Sequence, residues 1–363
     1  MNRGILILSV LLLPLLLAGC KQDDQLSQQQ NSSGDPSETP AVESVDYPMM
    51  PDTASNQDSN TTDAKTLAPL ISATELSELL KSDTTGLRVL EPGKDAADYK
   101  SGHLPNAQFV HWVDDMTNSK DLVSYRNPAA AEFVSLMSRL GIENDDRIVI
   151  YDRLSSRLST RLYWTLRYFG HANVQVLNGG FEAWNRSFEL STDKPEVAES
   201  QYKMAVTNDQ LLAEIKFVSE RLNDPKARLI DGRPTEQYSG KTVGKIFHTG
   251  QEHPRKGHIP GAVNVVWASN FNEDGTFKSS EELKAIYQDV GVLPDQCVIT
   301  YCNEGLHAAP PWFVLTQLLD FKDVRLYDSS MAEWAKSEYP LEKSADEKTK
   351  PVPIKDAKGE LQL

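Results

Sequence analysis

Cysteine is scarce in this chain, and its scarcity argues against both a zinc site and a disulfide framework. The 363 residues contain three cysteines, Cys20, Cys297 and Cys302, and seven scattered histidines. This spacing matches no zinc-binding pattern and supplies no disulfide framework. Cys297 and Cys302 lie five residues apart on one extended run, which separates them by roughly 16 Å and prevents a disulfide. We therefore expect neither a metal nor another cofactor.

Positive charge is also in deficit. The chain carries 37 Lys and Arg residues against 52 Asp and Glu residues, which gives a formal net charge of −15. A basic surface patch is the usual electrostatic footprint of a nucleic-acid-binding protein. The acidic balance therefore argues against nucleic acid and against anionic lipid surfaces as partners.

Long apolar runs are absent except at the N-terminus. Arg3 is followed by an apolar run from Ile5 to Leu17, which is too short for a mature membrane span and is typical of an export signal. The run ends in Leu17-Ala18-Gly19-Cys20 and resembles a bacterial lipoprotein signal, residues 1–20, although an ordinary secretory peptide is the alternative. The resemblance implies a lipid on Cys20 and a periplasm-facing protein of the cell envelope, and Lys21 favours the outer membrane.

The remaining chain divides by composition. Residues 21–66 are rich in Ser, Asn, Gln, Asp and Pro and cannot bury enough apolar surface to offset ordering entropy, so we predict a disordered tether. We predict a first domain over 67–190, a charged linker over 191–207, a second domain over 208–342 and a charged tail over 343–363. The folded part is long enough for two ordinary domains.

The two predicted domains repeat one another. Gly102-His103-Leu104-Pro105 is echoed by Gly257-His258-Ile259-Pro260, and the stretch from Gly141 to Trp184 matches the stretch from Gly291 to Trp334 without a gap. Self-similarity of this length and order indicates an internal duplication. Two copies in one chain favour a self-sufficient monomer.

Each copy alternates short apolar strands with amphipathic helices, of which we predict two over 127–140 and 279–290. That alternation predicts an α/β fold in which each domain is a parallel sheet flanked by helices.

Cys302 lies where a β-branched strand, Val298 to Tyr301, meets a short loop and a helix-capable stretch through 312–319. Loop N–H groups and a helix N-terminus would lower the pKa of this thiol and make it nucleophilic. The alternative is a small core residue, because free cysteine is often buried. The matching position in the first copy is Asp152, which cannot be a sulfur nucleophile, so we predict that the first domain is catalytically silent.

The two copies together resemble tandem rhodanese-type sulfurtransferases over residues 70–342. The resemblance is carried by Leu229-Ile230-Asp231-Gly232-Arg233, by the Gly257-His258-Ile259-Pro260-Gly261-Ala262 motif, by Tyr301-Cys302-Asn303-Glu304-Gly305, and by 327–334. It implies a silent N-terminal domain and a persulfide on Cys302. Asp231 and Arg233 are predicted to support the loop, and His258 to pack in a turn.

The predicted reaction is transfer of a sulfur atom from a small anionic donor, thiosulfate or 3-mercaptopyruvate, to a thiol or cyanide acceptor. The candidate residues for donor binding and the loop are Arg255, Asn303, Glu304, Gly305, Leu306, His307 and Ala308. Glu304 stands where the thiosulfate enzymes of the family carry a basic residue. The loop does not match the mercaptopyruvate-type pattern either, in which small residues are followed by a Ser- or Thr-like position, so the residues leave the donor open. Positive charge is therefore expected from Arg255, which matches a substrate-binding arginine of the family, or from a protonated His307. Lys256 and Arg233 are further alternatives.

Two rival functions differ in what they require of the loop. A cysteine-dependent phosphatase needs an arginine six residues after the cysteine to clamp phosphate, and here that residue is Ala308. A non-catalytic binding or sulfur-carrier module tethered to the envelope is the second rival, and the acidic balance with Glu304 keeps it open.

Overall fold

The computed structural model describes residues 67–118, 126–247 and 249–344. The predicted signal with Cys20, the tether over 21–66 and residues 345–363 of the tail lie outside these residues. Within the described ranges, no helix combines the length and the apolar character that crossing a membrane requires.

The first domain alternates strands with helices. Its strands are β1 Leu70–Ile71, β2 Leu87–Gly93, β3 Ala107–His111, β4 Arg147–Ile150 and β5 Val174–Leu177, and its helices are α1 Ala73–Lys81, α2 Ala96–Ser101, α3 Trp112–Met116, α4 Ala130–Arg139, α5 Arg157–Tyr168 and α6 Gly180–Asn185. Residues 192–208 contain neither a helix nor a strand and lead into the second domain.

The second domain repeats the order. Its strands are β6 Leu212–Ala213, β7 Ala227–Asp231, β8 Val263–Asn264, β9 Cys297–Tyr301 and β10 Val324–Tyr327, and its helices are α7 Ile215–Ser219, α8 Thr235–Tyr238, α9 Ser280–Asp289, α10 Ala309–Phe313 and α11 Ser330–Trp334. Short 3₁₀ turns cover 209–211 and 267–270.

Every strand pairing in both sheets is parallel. The strands of the first sheet run in the order β1-β5-β4-β2-β3, and those of the second run in the matching order β6-β10-β9-β7-β8. Parallel strands require crossover connections, and the amphipathic helices supply them and cover both faces. The predicted α/β fold, with two tandem domains each built on a parallel sheet flanked by helices, is confirmed.

Local sequence accounts for several helix boundaries. The α1 helix begins after Ser72, whose side chain accepts from the Glu75 N–H while Glu75 accepts from the Ser72 N–H, and Ser279 and Glu282 repeat this capping box at α9. The helices predicted over 127–140 and 279–290 are confirmed as the shorter α4 and α9. The stretch after Cys302 departs from expectation, because α10 ends at Phe313 and passes into a π-helical turn over Val314–Leu318.

One hydrophobic cluster spans the two domains, and each domain also has a cluster of its own. The α5 helix packs against α10, and Tyr163 of α5 meets the ring of Phe313 edge-on with ring centroids 4.9 Å apart. A buried ion pair joins Arg161 of α5 to Asp328, which follows β10. The loop that contains Cys302 therefore lies against the first domain, not at a free end of the second.

Candidate active site

Cys302 directly follows β9, the central strand of the second sheet, where its side chain is 1 % exposed. Its backbone N–H donates to Ser330 Oγ at 3.0 Å, and its carbonyl accepts from the Met331 N–H at 3.1 Å. Ligands of open α/β sheets bind at the carboxyl ends of strands. The thiol therefore occupies the part of the fold in which reactive groups are usually found.

The loop after Cys302 wraps its backbone around the sulfur. The N–H of His307 points to Sγ with an N···S distance of 3.2 Å, and the N–H groups of Glu304 and Ala308 also lower the thiol pKa. Gly305 takes a φ of +85°, which turns the chain sharply. A Cβ at this position would lie 2.6 Å from Asp328 Oδ1, so only glycine fits between the loop and the Arg161–Asp328 ion pair.

The predicted lowering of the Cys302 pKa is wrong for this arrangement. Burial raises the pKa of Cys302 to about 11, and the nearby Glu304 carboxylate adds to the rise, against the opposing effect of the loop N–H groups. Desolvation penalises the charged form of a buried acid more than three N–H dipoles recover. The resting thiol is therefore protonated at neutral pH.

The first domain, called the silent domain here because it carries Asp152 in place of a thiol, shows what this loop geometry can hold. The Asp152 carboxylate lies at the position that corresponds to Cys302, and it accepts from the N–H groups of Leu154, Ser156 and Ser159 at 2.7, 3.0 and 2.6 Å. Ser155, the counterpart of Gly305, also has a positive φ, of 55°. The same loop thus binds a permanent internal anion in one domain and surrounds a thiol in the other.

Asp231 and Arg233 form a buried ion pair beneath the loop. Arg233 donates to the Asp231 carboxylate and, at 2.8 Å, to the carbonyl of Gly257 in the Gly-His-Ile-Pro motif. His258 stacks on the Tyr238 ring with centroids 3.9 Å apart, and its Nδ1 lies 2.8 Å from the Tyr238 carbonyl. All three predicted supporting residues make structural contacts.

Asn303 is held by two residues that the sequence did not suggest. Its Nδ2 donates to Gln237 Oε1 at 2.9 Å, and its Oδ1 lies 3.0 Å from His253 Nε2. Burial lowers the pKa of His253 to about 4, so the ring is neutral and donates its Nε2–H to Asn303. This network ties the residue after Cys302 to the segment that covers the pocket.

Glu304 does not point to solvent. The residue is 1 % exposed, and its Oε1 accepts from the backbone N–H of Phe247 at 2.7 Å. A buried carboxylate two residues after Cys302 repels any oxyanion attached directly to the reacting sulfur.

Arg255 and His307, both predicted to supply positive charge, do not supply it to the donor. The Arg255 guanidinium donates to the carbonyls of Ala335, Tyr339, Trp334 and Ser337 at 2.6–2.9 Å, so it fastens the C-terminal segment and does not face the donor. His307 is neutral, because burial and then the Arg157 guanidinium hold its pKa well below the usual range.

Arg157 belongs to the silent domain. Its Nη1 lies 3.3 Å from His307 Nε2, and its guanidinium carbon lies 4.6 Å from the centroid of the Trp267 ring, which itself stacks on His307. Since a guanidinium can only donate, this contact places the His307 proton on Nδ1.

A cavity of about 510 Å³ opens over the thiol. Two segments line it, residues 234–250 of the described chain and residues 302–307. Cys302, Asn303, Glu304, Leu306 and His307 contribute side chains or backbone to the lining, whereas Gly305 and Ala308 shape the loop behind it. The volume suits a small molecule.

Sequence reasoning missed the residues that reach the loop from elsewhere in the chain. These are Ser330 and Asp328 after β10, Arg161 of the silent domain, and His253. Arg157 was not missed, because the sequence left it open whether Arg153 and Arg157 are solvated charges or bind an anion. For Asp328 and Ser330 a signal existed, because both lie within the repeated stretch that ends at Trp334. Arg153, the other arginine of the silent loop, pairs with Glu91 at 2.7 Å and is structural.

A buried thiol in an anion-binding loop, at the end of a parallel strand and beneath a small pocket, defines a class of α/β enzymes with a cysteine nucleophile. Comparison with known proteins makes the class specific. The family described as "Rhodanese-like domain" matches residues 72–187 and 214–337. The sulfur carrier protein TtuD of Thermus thermophilus is 34 % identical over 254 residues, which cover 68 % of this chain and 87 % of that protein.

Two further proteins extend the match. SseA of Mycobacterium tuberculosis, named as a candidate thiosulfate sulfurtransferase, is 36 % identical over 251 residues, covering 69 % of this chain and 82 % of that protein. The structure of SseA from Escherichia coli, a 3-mercaptopyruvate sulfotransferase described by its "Rhodanese" fold, has a TM-score of 0.63 and 26 % identity, and covers 73 % of this chain and 99 % of that chain. The chain belongs to the rhodanese-like family and is a sulfurtransferase.

Proposed function

We propose that the protein moves a sulfane sulfur from a small anionic donor, thiosulfate or 3-mercaptopyruvate, to a thiol or cyanide through a persulfide on Cys302. The observation that carries the proposal is the pairing of Cys302 with Asp152: the loop that holds a carboxylate in one domain surrounds a thiol in the other. The names of the two SseA proteins support these two donors.

The first half-reaction forms the persulfide. The Cys302 thiolate attacks the outer sulfur of thiosulfate, the S–S bond of the donor breaks, and sulfite leaves with the bonding electron pair. With 3-mercaptopyruvate the C–S bond breaks, and the enolate of pyruvate leaves and takes up a proton at carbon. In both cases the loop N–H groups of Glu304, His307 and Ala308 stabilise the negative sulfur.

The second half-reaction discharges the persulfide. A thiolate or cyanide attacks the outer sulfur, the S–S bond of the persulfide breaks, and its electron pair returns to Cys302 as thiolate. Two separate half-reactions through one covalent intermediate predict ping-pong kinetics.

The same proposal includes an envelope location. A lipid on Cys20 would hold a monomeric catalytic body at a membrane surface facing the periplasm, with residues 21–66 as the tether, and Lys21 favours the outer membrane. The support is the N-terminal sequence, in which small residues precede a cysteine at the end of an apolar run.

A carrier role without turnover is the second candidate, and the name of TtuD favours it. A carrier would accept one sulfur on Cys302 and release it only to one partner protein. An enzyme would discharge the sulfur repeatedly to cyanide or to small thiols.

Intact mass spectrometry tests the proposal. After incubation with thiosulfate or 3-mercaptopyruvate the chain should gain one sulfur atom, which cyanide removes with release of thiocyanate. Cys302→Ser should lose the gain and keep the melting temperature, whereas the matched Cys297→Ser variant should keep both. A mass gain that survives in Cys302→Ser would refute the assignment, and loading without repeated thiocyanate release would favour the carrier.

A further inference from the structure

The lining of the pocket offers little positive charge for binding an anionic donor. Among the described side chains that line it are one lysine, Lys245, and two glutamates, Glu236 and Glu304. Lys245 lies 3.2 Å from Glu252 in an exposed ion pair, and Glu304 is buried beside the thiol. Arg255 and His307 do not supply the charge, as described above. The lining thus carries more negative than positive charge, which makes a cation from outside the lining the better candidate for binding an anionic donor.

The silent domain places a lysine at the pocket wall. Lys94 directly follows Gly93 at the end of β2, the strand of the silent sheet that pairs with both β3 and β4. Its Nζ lies 3.4 Å from the centroid of the Phe247 ring, and Phe247 lines the cavity over Cys302. Lys94 is exposed as a whole residue, and the contact with Phe247 partly desolvates its ammonium group beside the cavity wall.

A second cation of the silent domain lies close to the same ring. The guanidinium carbon of Arg157 is 5.8 Å from the Phe247 centroid. Desolvation and then the Arg157 charge lower the pKa of Lys94, whereas the Glu304 carboxylate raises it. Two cations held this close to one another are stabilised by an anion that lies between or above them. The nearby Glu304 provides one such charge, and its Oε1 is already engaged by the Phe247 N–H.

The positions of the charges separate two classes of donor. Glu304, next to Cys302, disfavours an oxyanion bonded directly to the transferred sulfur, as in thiosulfate. Lys94 does not line the pocket itself but lies on the ring of Phe247, which does, and this position favours an anionic group carried some atoms away from the sulfur. A mercapto acid such as 3-mercaptopyruvate, with its carboxylate separated from the thiol, has that arrangement.

From these contacts we infer that Lys94 of the silent domain is a specificity-determining residue of the active site, which binds the remote carboxylate of a mercapto-acid donor. This inference rests on the proposed function and chooses between its two donors. The first domain, although it has no thiol of its own, then contributes to substrate recognition directly.

The test compares Lys94→Gln and Lys94→Glu with Lys100→Gln. Lys100 is an exposed lysine of α2 in the same domain and serves as the matched control. The full chain, in detergent, is loaded in single-turnover experiments with 3-mercaptopyruvate, with thiosulfate and with mercaptoacetone, a neutral donor that has the same thiol and ketone but no carboxylate and that would leave as the enolate of acetone. The initial rate of persulfide formation on Cys302 is followed by intact mass as a function of donor concentration.

For 3-mercaptopyruvate, the half-saturating concentration should rise about fivefold in Lys94→Gln, the size of one partly exposed ion pair, and further in Lys94→Glu. The limiting rate, loading from neutral mercaptoacetone and discharge by dithiothreitol should not change, and thiosulfate should respond less than 3-mercaptopyruvate.

If the half-saturating concentration of 3-mercaptopyruvate is the same in Lys94→Gln and Lys100→Gln, the inference is overturned and the proposed function stays intact. A parallel loss with neutral mercaptoacetone also overturns it, because it would mean that Lys94 supports the loop and does not bind the carboxylate. If no donor loads Cys302 in the unsubstituted chain, the proposed function itself fails.

Discussion

The buried ion pair between Arg161 and Asp328 joins the silent domain to the catalytic loop, and its removal gives the sharpest test of that connection. The side chains are 0 % and 3 % exposed, and Asp328 also accepts from the Asn127 N–H at 2.8 Å. Replacing one member of a fully buried pair costs about 3–5 kcal/mol, because the other charge stays buried and uncompensated. Since Asp328 keeps the Asn127 hydrogen bond, we expect Arg161→Leu to cost about 3 kcal/mol, at the lower end of that range.

The matched control is Arg139→Leu. Arg139 pairs with Asp115 at 2.6 Å, and its side chain is 51 % exposed. An ion pair on the surface contributes about 0–1 kcal/mol, so this variant should be nearly as stable as the parent. Urea unfolding followed by both tryptophan fluorescence and circular dichroism measures the difference, provided that the two signals change together.

The rate of persulfide formation should fall together with the stability, because Gly305 packs directly on the ion pair. In Arg161→Leu the loop loses that support, and persulfide formation on Cys302 should slow even where the protein remains folded. Adding Asp328→Asn removes the stranded charge, so the double variant should lose less stability than the sum of the two single variants. A cost for Arg161→Leu no larger than that for Arg139→Leu would show that the pair does not connect the domains energetically.

Two other predictions concern the charge on the sulfur. Because burial raises the pKa of Cys302 to about 11, only the small ionised fraction reacts at neutral pH, so alkylation of Cys302 by iodoacetamide should accelerate about tenfold per unit between pH 7 and 9. Cys297→Ser protein isolates this signal, and a rate that is flat over the range would contradict the burial argument. Glu304→Gln keeps an acceptor for the Phe247 N–H but removes a charge that raises the thiol pKa, so its alkylation profile should move to lower pH. The half-saturating concentration of thiosulfate should fall about fivefold in Glu304→Gln. An unchanged concentration would show that this carboxylate does not repel the donor.

The fold could be predicted because its signals are local or repeated. Alternating strands and helices, the duplicated Gly-His-Leu/Ile-Pro motif and the match that ends at Trp184 and Trp334 are visible in the chain itself. The π-helical turn over 314–318 was not predictable in this way, since Pro310 and Pro311 at the start of α10 explain only where that helix begins.

The site was predicted only in part, and the failures share one physical cause. The position of Cys302 follows from a strand, a glycine and a helix that are adjacent in sequence. The role of Arg255 depends on carbonyls 79–84 residues away, and the neutral state of His307 depends first on burial and then on Arg157 of the other domain. The thiol pKa depends on burial by both domains together. Contacts between distant parts of the chain decide all three, and periodicity or motif spacing does not reveal them.

The silent domain also explains why a lowered pKa is not required of the resting thiol. In its loop the Asp152 carboxylate extends its two oxygens one bond beyond the position of a cysteine Sγ and receives three N–H groups there. A persulfide extends the cysteine by one atom in the same way, so its outer sulfur reaches into the region where the corresponding loop of the silent domain binds charge. A persulfide is also a stronger acid than its parent thiol. The catalytic loop is therefore better matched to the loaded intermediate than to the empty enzyme, and stabilisation that appears only after the sulfur has moved favours loading over the reverse reaction.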